Sequence, residues 1–96
     1  MTASIADQPY FVTERQVTLE GQFSVAHHHV MSLCENEIVT HVRSFSLHEV
    51  YDLSYRKLGN REGILYLHTK QGVFPYQVKS DPVAFMDAFR SLTAGP

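Results

Sequence analysis

The chain reads as a mainly β protein, a partly open antiparallel barrel of about seven strands closed by one C-terminal α-helix. Three observations predict this. From Tyr10 to Lys79 the apolar residues recur mostly in twos, the period of a strand. The breaks between these runs carry Gly, Asn, Glu or the sequence Lys70-Gln71-Gly72, which are turn-forming residues. After Asp81 the period changes to about 3.6, so a single amphipathic helix follows and must cover the apolar surface that the strands leave open.

Each element follows from local chemistry. Residues 1–9 are small and polar and end on Pro9, and they are expected to form a flexible arm, with a single domain over 10–96. Val17 and Leu19 alternate with Gln16, Thr18 and Glu20, and Glu20-Gly21-Gln22 turns the chain into Phe23-Ser24-Val25-Ala26. This second strand is expected to run through His27-His28-His29 to Leu33, ending at the polar break Glu35-Asn36-Glu37. Ile38 through Phe45 is rich in β-branched residues and reads as one continuous third strand.

Val50 through Tyr55 alternates, which places Tyr51, Leu53 and Tyr55 on one face, expected to be buried. Leu58 to Gly63 is a loop. Ile64–Thr69 and Val73–Val78 then form a hairpin around Lys70-Gln71-Gly72, with Phe74 in the core. Pro75 cannot donate to a ladder, so its strand is expected at a sheet edge or with the side lacking the N–H outward. Asp81 can cap the helix and Pro82 suits its first position; Phe85, Met86, Phe89 and Leu92 make one stripe, and Gly95-Pro96 stops it.

Composition bounds the function. The chain has 96 residues, 44% hydrophobic and 19% charged, which excludes a disordered or collagen-like polymer. Such a length buries only about 60 to 65% of the surface exposed on unfolding, enough for one core. A net charge of -2 lacks the basic footprint of a dedicated nucleic-acid binder. Cys34 is the single cysteine, so neither an intrachain disulfide nor a thiolate zinc cluster can form, and a reducing cytoplasmic location is expected. Met1–Pro9 lacks the basic start and the roughly 7 to 15 apolar residues of a secretory signal. No run reaches the roughly 18 to 20 apolar residues of a transmembrane segment.

The stretch from Glu37-Ile38-Val39 through Arg43-Ser44-Phe45-Ser46-Leu47-His48-Glu49-Val50 to Arg56 resembles the middle of a bacterial pleckstrin-homology-like (PH-like) domain. In that family a strand after a polar turn is followed by a small residue, an apolar residue, any residue, an acid and an apolar residue leading into the next strand. Gly63 to Tyr76 resembles the family's last hairpin, and Asp81-Pro82-Val83-Ala84-Phe85-Met86 resembles the capped start of its closing helix. The resemblance implies a small binding or self-associating module, with a protein partner or a homo-oligomer, rather than an enzyme. Phosphoinositide-binding members carry Lys and Arg around their first turn. Here Glu20-Gly21-Gln22 has Arg15 as the one nearby cation, with Glu14 and Glu20 beside it, so that site is not carried over. The tryptophan in the helix of eukaryotic members is absent, which leaves Phe85 or Phe89 to fill its volume.

Three groups of residues invite a functional reading. His27 and His29 fall on one face of a strand and His28 on the other, so the outer two form an H-x-H pair able to chelate a divalent metal. A third ligand would come from His41, His48 or Cys34, and the plainer reading is a set of exposed or locally hydrogen-bonded histidines. Arg56, Lys57 and Arg61 surround one loop and are the candidate contact for an anionic lipid or acidic partner, although Glu62 is interleaved. For catalysis, Cys34 with a histidine is the only nucleophile and base pair available. The carboxylates of Glu35 and Glu37 beside it oppose the thiolate such chemistry needs. No carboxylate pair or Gly-rich phosphate loop is present, so no catalytic residues and no cofactor are expected.

Overall fold

The computed structural model describes residues 4–93. In chain order the elements are β1 (Ala6–Thr18), β2 (Gly21–Leu33), β3 (Glu37–Val39), β4 (Ser44–Ser46), a 3-10 turn (Leu47–Glu49), β5 (Val50–Lys57), β6 (Gly63–Thr69), β7 (Gly72–Val78) and α1 (Val83–Thr93). The seven strands form one open antiparallel sheet in the order β4-β3-β2-β1-β7-β6-β5, and the single helix follows it. The mainly β architecture with a closing helix is therefore the one the periodicity predicts.

The sheet curls on itself. Phe45 of β4 packs on Phe74 of β7 with ring centroids 5.0 Å apart, and the Arg43 guanidinium lies 4.9 Å and 4.6 Å over the same two rings. The enclosed core contains Tyr10, Met31, Leu33, Ile38, Phe45, Val50, Leu53, Leu65, Leu67 and Val78 from the strands and Phe85, Met86 and Phe89 from the helix. Asp81 caps α1, its Oδ1 accepting the Val83 N–H at 3.0 Å, and Pro82 is buried at the first turn. On the opposite side Arg90 ties the helix to β5, donating to the Leu53 carbonyl at 3.0 Å and lying 3.5 Å from Asp52.

Three of the turns begin on threonine. Thr18 Oγ1 accepts from the Glu20 N–H at 3.2 Å and donates to the Gly21 carbonyl at 3.3 Å. Thr69 repeats this with Gln71 at 3.1 Å and Gly72 at 2.8 Å. Gly21 (φ 137°) and Gly72 (φ 127°) occupy backbone conformations closed to other L-residues without strain. Thr40 makes the third turn, accepting from the Arg43 N–H at 3.2 Å and donating to its carbonyl at 3.0 Å.

That third turn corrects one expectation. Ile38–Phe45 is not a continuous strand; Thr40 is buried with its hydroxyl committed to Arg43, which folds the segment into the β3–β4 hairpin. Three more corrections have equally local causes. Ala6–Pro9 is part of β1, paired with Val30–Leu33, because the apolar Met31 and Leu33 draw that end of the hairpin into the core; residues 1–3 of the expected arm lie outside the described residues, as does the Gly95-Pro96 stop. Tyr51 is exposed because the register slips between Val50 and Asp52, a bulge that turns it outward while Leu53 stays buried. The sheet edges are β4 and β5, and β7 lies inside the order. Pro75 is tolerated there because β7 meets β1 only at the Phe11–Gln77 rung, which leaves the Pro75 stretch without a partner on that side.

Gly63 is fixed by close approach. A Cβ there would lie 2.6 Å from the Arg56 carbonyl and would strike the Tyr55 ring, so the half-buried Tyr55 closes over a position that must stay empty.

Candidate functional site

The β1–β2 hairpin leaves the body of the molecule after Phe11. Its strands pair over all 13 residues on each side, from Ala6–Leu33 to Thr18–Gly21, whereas β1 meets β7 at one rung and β2 meets β3 only at Ser32 and Leu33. Beyond Phe11 the ribbon runs about 23 Å to its tip at the usual rise per residue, which accounts for a molecule 57 Å long and 30 by 25 Å across. Among the described residues no strand pairs its backbone with the outer side of Val12–Thr18 or of Gly21–His28, although the Thr13 hydroxyl still donates to the Gln77 side chain of β7 at 3.2 Å. Val17, Leu19 and Phe23 are exposed near the tip, Leu19 completely.

The local sequence explains the departure. Thr13-Glu14-Arg15-Gln16 puts polar side chains on both faces, so neither face of the ribbon is drawn to a core. Such a two-stranded ribbon has marginal stability by itself.

A cluster of polar aromatic groups anchors its base. Tyr10 is buried, with its ring edge-on to Tyr76 at 5.1 Å. Its phenol oxygen accepts the backbone N–H of His41 at 3.0 Å and makes a short contact with His41 Nδ1. The two contacts hold the His41 backbone and ring together against the Tyr10 hydroxyl. The His41 ring stacks on His29, centroids 3.7 Å apart and 6° from parallel. Two imidazolium charges cannot share that spacing without strong repulsion. His29 is held below the ordinary histidine pKa, by burial first and then by the neighbouring His41, His27 and His28. Burial raises the Tyr76 phenol, opposed by the neighbouring Thr40 side chain.

His27 and His29 share a face as the alternation requires, but they have different partners. His27 Nε2 lies 2.9 Å from Glu14 Oε2 on the exposed ribbon, and His28 on the other face packs beside Phe11. His29 and His41 do come together, while Cys34 is buried with its backbone N–H bonded to Glu37 and His48 sits in the 3-10 turn after Ser46. Parallel stacked rings direct their lone pairs side by side, not toward one ion. Among the described residues no group of three or more His, Cys, Asp or Glu side chains is arranged to hold a metal.

Lys57 and Arg61 line one groove together with Tyr55, Asn60, Lys79, Ser80 and Asp81. Arg56 projects from the other face of β5. Sequence reasoning missed Lys79, which reaches this groove from the β7–α1 connection and stands 4.9 Å over the Phe11 ring. No local signal links it to the β5–β6 loop, because β5 and β7 meet that end of the sheet through β6. The projecting ribbon was also missed, although the four polar residues from Thr13 to Gln16 carry its signal.

No helix among the described residues is long and apolar enough to cross a membrane. No family model, curated protein or solved structure matches this chain.

Proposed function

We infer that this chain is a non-enzymatic, PH-like binding or self-association module of the bacterial cytoplasm, and that the β1–β2 ribbon is its binding element. The observation that carries this is the ribbon itself: unpaired backbone on both sides beyond Phe11, with exposed Val17, Leu19 and Phe23. The strand run followed by a capped closing helix supports the PH-like part of the reading. A photo-crosslinker placed at Leu19 in living cells tests it. Protein adducts from Leu19, and none from a control at the exposed Asp87 position of α1, are expected. An inert Leu19 probe contradicts the reading.

One observation favours a second reading, contact with an anionic lipid surface: Lys57, Arg61 and Lys79 share a groove. Sedimentation with anionic vesicles that disappears when these three are replaced by Gln supports it, and absence of sedimentation at low salt removes it.

A further inference from the structure

The two free sides of the ribbon differ in charge. From Gly21 to Cys34 there is no Asp, Glu, Lys or Arg, whereas the free side of β1, Val12–Thr18, has Glu14 and Arg15 at its centre. Charged residues on an edge are the usual guard against strand addition, and β2 has none, nor any proline or bulge between Gly21 and His28. His41 stacked on His29 marks where the β3–β4 hairpin begins to cover this edge, so the open part ends at His28.

We propose that the β2 edge, Gly21–His28, pairs antiparallel with the same edge of a second copy of this chain about a two-fold axis at Ser24. This rests on the ribbon being the binding element. An axis perpendicular to the sheet keeps each face on its own side, so facing residues have numbers that sum to an even value, and an axis at Ser24 pairs Gly21–His27, seven of the eight open residues. Phe23 then faces Val25 of the second copy and Val25 faces its Phe23, aromatic against β-branched, while Gln22 faces Ala26. Phe23 is half exposed, and within its own chain it faces only Gln16. Self-pairing of the β1 side about its midpoint would instead set Arg15 against Arg15, so charge selects β2. A β1-to-β2 contact would be head-to-tail and would not close. Joining seven-residue edges buries an area at the low end for specific interfaces, below about 1,200 Å² in total, so the dimer is reversible and weak.

Analytical ultracentrifugation of the full chain across a concentration series is the test, with Ser24→Glu and Ser24→Gln as variants. Within its own chain Ser24 faces Arg15, so the carboxylate in Ser24→Glu has a local partner and the ribbon persists, while across the axis two carboxylates oppose. The expected result is a concentration-dependent dimer weakened about tenfold by Ser24→Glu and within about twofold of wild type in Ser24→Gln. Phe23→Ala, which removes both aromatic pairs and leaves the turn intact, is expected to weaken it by a similar factor. A wild-type monomer at high concentration overturns the proposal, and so does a dimer that Ser24→Glu and Phe23→Ala leave unchanged. A monomer whose Leu19 crosslinks to another protein overturns the self-pairing and retains the ribbon as a binding element.

Discussion

The β1–β2 and β6–β7 hairpins are made by the same local rules and have opposite fates. Each turns on Thr-x-x-Gly with the hydroxyl bracketing the loop and the glycine at positive φ. In β6–β7 the alternation is buried: Leu65, Leu67 and Thr69 point inward, and Thr69 is 7% exposed. In β1–β2 the residues past Phe11 are almost all exposed, and the equivalent Thr18 stands at a solvated tip. Turn chemistry and register are thus set locally, whereas whether a hairpin belongs to the body depends on having an apolar face to offer. The ribbon offers a partner its edge instead.

Mutations at matched positions sharpen this contrast. Leu67→Ala removes a fully buried side chain and should lower stability by about 3 kcal/mol in urea unfolding, while Leu19→Ala should fall within about 0.5 kcal/mol of wild type. A large loss at Leu19 would show that the ribbon folds as part of the core. Next in size are the two glycines. Gly72→Ala should cost about 1 to 2 kcal/mol of global stability through its positive φ. Gly21→Ala has the same backbone strain, but its effect should stay in the ribbon, seen as faster amide exchange from Val12 to Val25 with the unfolding midpoint unchanged.

The smallest effect is that of pH at the base of the ribbon. A histidine held below its unfolded pKa binds fewer protons folded than unfolded, so stability falls as pH drops below about 6.5 and the loss levels off beneath the lowered folded value. The groups around His29 are the Tyr10 and His41 rings, with His27 (paired to Glu14) and His28 as its further charged neighbours. Urea unfolding at pH 7.5 and 5.5 should show the acid loss in wild type and a smaller one in His29→Gln. An equal loss in both would place the titration elsewhere.

Much of the fold was legible in the sequence. The helix could be read because Asp81-Pro82 and the Phe85, Met86, Phe89 stripe are all local signals, and both Thr-x-x-Gly hairpins because glycine punctuates strict alternation. The β3–β4 turn was hidden since Thr-His-Val-Arg carries no glycine or proline, and the Tyr51 bulge since one extra residue in a strand leaves the alternation looking intact. At the candidate site the His27–His29 face was legible by parity. Its real companions were not, because Tyr10 and His41 arrive through strand pairing and the curl of the sheet, and Lys79 reaches Lys57 and Arg61 in the same way.

Residue-resolved amide exchange at low and high protein concentration tests the ribbon most directly. Pairing of β2 with a second copy predicts that alternate amides between Gly21 and His27 gain protection with concentration, while Val12–Thr18 on the charged side and the β6–β7 hairpin do not change. Protection across Gly21–His27 that is independent of concentration would contradict it.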